Sequence, residues 1–453
     1  MSDGGESAAA QHRNHRLSAI RSTTAAAAAA KGITAAVQIA LVPITLGYLG
    51  QSSYGIWMAI SATVAFLQVS DLGIGNALIS LTAQERIAGG HKAVVKLLKK
   101  GLLIAALIAA FVFFAGLVGI ESLSWAEFLA VPTDQEIEAR QAIVACLFMF
   151  CVSMPLTLAQ QIRLGLMRGY GNSIFQSIGQ LLNLLFVWVG VQNGVSLAAL
   201  IILATLGVLI GNLSNLMSLL MAAEKDASLP EQARAHVAPS FKSLFKHGLP
   251  FLILQVSGLF LYQSDVLIVS HFLGPEKVTD YSVSMKYFSV PILVLSFYLY
   301  SVWPAYADAK ARGDWVWIRS FYRSSLKKSV AFSSVMGLSF LVASYWALPL
   351  WTAGKVNAEP ALVVLLTLSV GLNALGGNLA SFMNGLHMLK LQTTLAVIGA
   401  AIAFSLSVMW TPIIGLSGPV AAMVVTNIVM YAIMYVSVKR KLAGDFIQEK
   451  TES

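Results

Sequence analysis

Charge is what this chain of 453 residues has least of. Only 11% of its positions are Asp, Glu, Lys or Arg, and 57% are hydrophobic. A soluble domain carries about a quarter charged residues, so the chain lacks the polar surface needed to face water. Cysteine is scarcer still. Cys146 and Cys151 are the only two, five residues apart in one apolar segment, a poor helical geometry for a disulfide; they read as buried packing residues. The seven histidines show no metal-ligand spacing, and His271 stands apart from the rest. No nucleophile triad and no phosphate-binding loop of the Gly-x4-Gly-Lys-Ser/Thr kind is present, which argues against hydrolysis of ATP by this chain. The polar opening, MSDGGESAAAQHRNHR, is followed by no small-residue cleavage site, so residues 1–16 are expected to form a tail rather than a removed leader.

Long apolar runs are what the chain does have. A helix needs about 20 apolar residues to cross the hydrocarbon. Twelve such spans are predicted, near 25–48, 54–80, 101–120, 140–164, 173–193, 196–222, 247–272, 279–304, 328–350, 361–386, 391–412 and 415–438. Lys and Arg collect at one side of this arrangement. Only Arg140, Lys277 and Lys355 fall on the other, and Lys286 lies inside a span. Basic residues concentrate in cytoplasmic loops, which puts both termini in the cytoplasm. The net charge of +9 is this topological bias, favoured by anionic lipid head groups, and needs no nucleic acid. The longest outer loop, Glu121 to Glu138, is too small for an enzymatic domain.

Six spans return the chain to the cytoplasm, and the two halves repeat at an offset near 224. Leu49-Gly50 corresponds to Leu273-Gly274; GLMRGYGN from Gly165 recurs loosely from Gly385 as GLHMLKLQ. Basic amphipathic stretches, from Val94 and from Ile318, follow the second span of each half. The expected division is a tail 1–16, an N-lobe 17–223, a cytoplasmic linker 224–246, a C-lobe 247–440 and a tail 441–453. Parallel repeats of this kind suit an alternating-access carrier with its substrate between the halves.

Polar residues inside the spans are the candidates for a pathway. Thr24, Lys31, Gln38 and Thr45 recur every seven residues on the first span, with Thr34 between them, and so share a helix face. Gln255, Gly258, Tyr262 and Asp265 form a corresponding stripe on the seventh. Such stripes line a cavity or pack helices together. Asp265 and Lys286, ten before and eleven after Pro275, lie at similar depth in consecutive antiparallel spans, so an ion pair or a shared hydrated site is expected, structural or functional. Asp71 sits near the inner end of the second span as a cap or gate residue. Arg163 and Arg168 flank the inner end of the fourth, either anchoring topology or drawing an anionic head group inward. Trp57, Trp125, Trp303 and Trp351 fall near the interfaces.

The segment LGYLGQSSYGIWMAISATVAFLQVSDLGIGNALISLTAQ, with its LG, YG-W and DLG-GNA elements, resembles the N-terminal signature of polysaccharide-exporter-type oligosaccharide flippases. These belong to the multidrug/oligosaccharidyl-lipid/polysaccharide exporter superfamily, and span count, parallel halves and basic loops fit along the whole chain. The resemblance implies an all-helical membrane fold in two six-helix lobes. It implies movement of an undecaprenyl-pyrophosphate-linked oligosaccharide to the outer leaflet of a bacterial inner membrane, for surface polysaccharide synthesis. It implies no enzymatic activity and no cofactor beyond coupling to a proton or sodium gradient or to membrane potential. A polysaccharide polymerase and chain-length machinery are the implied partners, with a cationic cavity to which Lys31 and Arg21 are candidate contributors.

The alternative of the same fold is an ion-coupled multidrug and toxin antiporter, which favours acidic residues in its N-terminal cavity; here those spans hold only Asp71 and the positive Lys31. The loop TAQERIAGGHKAVVKLLKK lacks the glycine-aspartate-arginine pattern of major-facilitator carriers. A membrane ligase or polymerase needs richer outer loops. A non-transporting scaffold predicts dispensable polar stripes.

Overall fold

The computed structural model describes residues 3–71, 90–166, 168–226, 255–261, 263–386 and 388–452, with single positions between these stretches. The regular structure described is helical throughout. The long helices are α1 (Asp3–Phe66), α2 (Gly90–Ser122), α3 (Glu136–Gly165), α4 (Tyr170–Gln192), α5 (Leu197–Asp226), α6 (Ser264–Leu273), α7 (Pro275–Ala311), α8 (Trp315–Thr352), α9 (Pro360–Gly385), α10 (Leu389–Ile414) and α11 (Ser417–Glu452). Hydrocarbon offers no partner to backbone amides, so an apolar chain crosses it only by bonding them internally. Local signals set the ends. Asp314 caps α8 by accepting from the Trp317 amide at 2.9 Å, and Pro275 and Pro360 open α7 and α9 where a missing N–H costs nothing.

Among the described residues, eleven stretches of helix are long and apolar enough to cross a membrane. The first, Ala28–Val69, has 42 residues, about 63 Å of helix against a hydrocarbon thickness of about 30 Å. It is broken at Gly50, where φ is 77° and ψ 178°. Read as two spans, it brings the number to the twelve expected from sequence.

The chain forms two compact units. One comprises Met1–Tyr48, Val64–Trp125 and Asp134–Gln255; the other comprises Leu49–Thr63, Ala126–Thr133 and Val256–Ser453. Residues 227–246 of the expected linker and most of the C-terminal tail's side chains lie outside the described residues. In the first unit, Leu97, Leu98, Leu158, Ile162 and Leu216 pack α2, α3 and α5 together. Helices α4 and α5 approach through Gly179, Gly207 and Gly211, a small-residue contact suited to a membrane, where packing rather than water expulsion drives association. In the second unit, one cluster gathers Val302, Tyr306, Tyr322, Phe382 and Met434, and another Val269, Tyr281, Phe288, Val370 and Val424.

The internal repeat is written in the backbone. Gly274 has φ 82° and ψ 172°, nearly the geometry of Gly50, and only glycine takes it without strain. Ala130 and Ala353, the two non-glycine residues of positive φ among those described, have φ of 50° and 51°. A Cβ on Gly165 would lie 2.6 Å from the Ile79 carbonyl oxygen and from Thr82; one on Gly385 would meet Trp303 and Tyr306. Each of these neighbours in the second half stands 224 positions after its counterpart in the first.

Gly55 is the tightest of the turn-proximal contacts, because a Cβ there would overlap the Pro275 carbonyl; at Gly47 a Cβ would meet nothing. Gly55→Ala is expected to cost about 1–3 kcal/mol, and Gly47→Ala to be neutral or slightly stabilising. Thermal unfolding of the purified variants checks this, and equal midpoints would refute the contact.

Candidate transport-site residues

The YG-W element is a docking surface inside the second unit. The Gln51 carbonyl accepts from Thr279 Oγ1 at 2.6 Å, and the Gln51 side-chain amide donates to the Lys355 carbonyl. Gly55 lets the first turn of α7 approach. Tyr54, 1% exposed, accepts through its hydroxyl from Lys286 Nζ at 3.0 Å and packs edge-on against Trp57. The motif therefore seats α7 and receives its one intramembrane cation. The DLG-GNA element lies largely outside the described residues, and so does the side chain of Asp71.

The expected Asp265–Lys286 ion pair is not formed. The Asp265 carboxylate, 6% exposed, accepts from Ser407 Oγ at 3.0 Å and from the Tyr281 hydroxyl at 3.2 Å. Lys286 turns instead to the Tyr54 hydroxyl, with Met58 Sδ at 3.8 Å. Azimuth separates the two side chains. At about 100° per residue, Lys286 is rotated some 140° around α7 from Tyr281, the residue that does face Asp265. Neutral hydroxyls thus serve both charges.

Arg163 lies half-buried in a polar knot of the first unit. Its guanidinium donates to Ser218 Oγ and to the Asn215 carbonyl, the latter at 3.3 Å, and stands 5.5 Å from the Phe175 ring centroid. Around it Gln160 donates to Asn212, and Asn215 to Asn172, whose own amide donates to the Gln160 carbonyl. These contacts tie α3 to α5 at Arg163. Arg168 is exposed.

The stripe on α1 is mixed. Lys31 is half-buried and Gln38 exposed, but Thr45 is buried and, like Thr34, returns its hydroxyl to a carbonyl of its own helix. Gln255 donates to the Gln68 carbonyl at 2.8 Å. Tyr262 and the side chains of Arg21 and Thr24 lie outside the described residues.

Sequence reasoning passed over several groups. Asp280, 3% exposed, accepts from the Asn357 amide at 3.1 Å and pairs with Lys277 at 3.5 Å. Its place five residues after a proline reads as loop edge, and no local pattern marks it. A cavity of about 380 Å³ in the second unit is lined by Asn373, Gln392, Thr426, Asn427 and Tyr431 among apolar side chains. Gln392 Oε1 and Thr426 Oγ1 are buried there without a hydrogen-bond partner, so the cavity offers acceptors to a donor-bearing guest. These residues come from α9, α10 and α11, and only the folded unit brings them together.

A double-mutant cycle separates the observed contacts from the expected one. Lys286→Met and Tyr54→Phe should couple by about 1 kcal/mol or more in unfolding experiments. Lys286→Met and Asp265→Asn should be additive within about 0.5 kcal/mol.

Residues 21–310 match the sequence profile of the family described as "Polysaccharide biosynthesis protein". A relative from Salmonella typhimurium, named "Putative O-antigen transporter", is 19% identical over 316 residues, covering 69% of either chain. Among solved structures, an inward-facing multidrug resistance MATE family transporter of the MOP superfamily covers 92% of this chain and all of its own, with a TM-score of 0.68 and 14% identity. The lipid II flippase MurJ covers 90% of this chain and 86% of its own, with a TM-score of 0.67 and 14% identity. At such identities the structures establish the fold alone, and that fold is the one the two repeated halves called for. The profile, by contrast, spans well over half of the chain, including the seated YG-W segment, and the chain belongs to the polysaccharide biosynthesis protein family.

Proposed function

We propose that the protein flips an undecaprenyl-diphosphate-linked oligosaccharide from the cytoplasmic to the outer leaflet of a bacterial cytoplasmic membrane, by alternating access and with both termini in the cytoplasm. The observation that carries this reading is the family match over residues 21–310. The relative's printed name supports an O-antigen precursor as the cargo class, and the one-sided distribution of Lys and Arg supports the orientation.

A diphosphate entering a low-dielectric protein needs cationic donors in place of water. Lys31, half-buried on the polar stripe of α1, is the preferred candidate. Asp265 is the candidate for coupling to a proton or sodium gradient. It is a buried carboxylate held by two hydroxyls, with no cation paired to it among the described residues. A polymerase and chain-length machinery would act on the flipped product.

Deleting the gene is expected to trap lipid-linked oligosaccharide on the cytoplasmic leaflet and to remove surface polysaccharide, both restored by the wild-type chain. Lys31→Met should lower surface polysaccharide about tenfold or more at equal expression, the loss of one charge-assisted contact. Unchanged polysaccharide together with new sensitivity to organic cations would transfer the assignment to a multidrug antiporter.

A further inference from the structure

The cavity of about 380 Å³ in the second unit falls in the size range of small-molecule sites, about 300–1,000 Å³. Helices α7, α9, α10 and α11 supply nearly all of its lining. Asn373 stands halfway along α9 and Gln392 in the first turn of α10, so the cavity runs from mid-helix toward one end of the unit. Gly376 and Gly377 let two neighbours lie against the α9 backbone. A Cβ on the first would come within 2.3 Å of Tyr431 Cζ, and one on the second within 2.3 Å of Leu299 Cδ1. Leucine, isoleucine and methionine side chains close much of the wall. The polar lining described is neutral, and consists of Ser296, Asn373, Gln392, Thr426, Asn427 and Tyr431.

That lining is rich in acceptors. Thr426, 2% exposed, and Gln392 hold Oγ1 and Oε1 buried without a hydrogen-bond partner. Ser296 donates its hydroxyl hydrogen to the Leu293 carbonyl at 2.7 Å and is left to meet a guest as an acceptor. Asn373 is fixed by donating to the Ser369 carbonyl at 2.9 Å. Buried acceptors without partners carry the full desolvation cost of the group, so a guest that donates several hydrogen bonds is favoured. A pyranose donates from hydroxyls around its rim, while its C–H faces match aliphatic and methionine side chains. Carboxamides suit it further, since each presents a donor beside an acceptor to adjacent hydroxyls. An ion would meet no countercharge in the lining described. We propose that this cavity is a subsite for an uncharged sugar residue of the cargo, held by Gln392, Thr426 and Asn427. The proposal rests on the lipid-linked oligosaccharide inferred above and adds which part of it the second unit reads.

The test uses the full chain in nanodiscs of phosphatidylcholine, with binding read by saturation-transfer NMR. The probes are the methyl glycosides of glucose, galactose, mannose, N-acetylglucosamine and N-acetylgalactosamine. At least one is expected to bind the wild type, and T426V/Q392M to bind it about tenfold more weakly. T426S, which keeps the hydroxyl, should retain the wild-type affinity. Because Thr426 Oγ1 has no partner in the fold, T426V should unfold at the wild-type temperature or above it, which separates a binding role from a structural one. The uronic acid and 2-amino counterparts of the bound sugar, the same ring with a negative or a positive charge, should bind more weakly. The decyl glycoside of that sugar, placed in the bilayer, should displace the methyl glycoside. No binding of any probe, equal affinity in T426V/Q392M, loss in T426S or a lower unfolding temperature of T426V overturns the proposal. Tighter binding of either charged ring overturns the assignment to a neutral sugar. Failure of the decyl glycoside to displace the methyl glycoside overturns the link to lipid-borne cargo. None of these outcomes touches the deletion phenotype, so failure here and failure of the flippase reading remain distinguishable.

Discussion

Every polar group inside this protein is answerable to one constraint: hydrocarbon supplies no hydrogen bonds. The backbone meets it by staying helical through each span. Side chains meet it too, and mostly by the shortest route. Thr34, Thr63, Ser153, Thr205, Ser329 and Thr367 all return their hydroxyls to the carbonyl four residues earlier. A small polar residue in such a helix is therefore no sign of a pathway by itself. The informative groups are those too large or too charged to satisfy at home, and they define the architecture. Arg163 ties α3 to α5, Asp265 ties α6 to α7 and α10, and Lys286 ties α7 to the signature segment.

The same constraint separates what could be read in the sequence from what could not. Span number, repeat and fold class follow from composition and periodicity, which act along the chain. Gly50 and Gly274 were legible because a backbone turn that only glycine adopts leaves the same dipeptide at both places. The partners of Asp265 were not. Depth along a helix is counted easily, but the facing of a third helix is not encoded locally, and Ser407 stands 142 residues away. Likewise Thr45 looked like part of a stripe, yet its hydroxyl is satisfied within one turn and its side chain is buried. The cavity among Asn373, Gln392, Thr426 and Asn427 leaves no trace in any single helix.

The resemblance to oligosaccharide exporters also acquires a physical content. Its YG-W element reads as a family label in the sequence and as a seat for α7 in the structure. The tyrosine supplies a hydroxyl for a buried lysine, the glycine makes room for a proline carbonyl, and the tryptophan packs the tyrosine ring. In the structure the motif's side chains serve packing and charge compensation.

The Tyr54–Lys286 bond joins residues 232 positions apart. Ribosomes add about 5–20 residues per second, so Tyr54 enters the membrane roughly 10–50 s before its partner exists. During that interval the segment after Gly50 has no α7 to pack against. Assembly of this chain is thus ordered by its own contacts: Tyr54 and Gly55 wait through the synthesis of the intervening spans before α7 exists to seat on them.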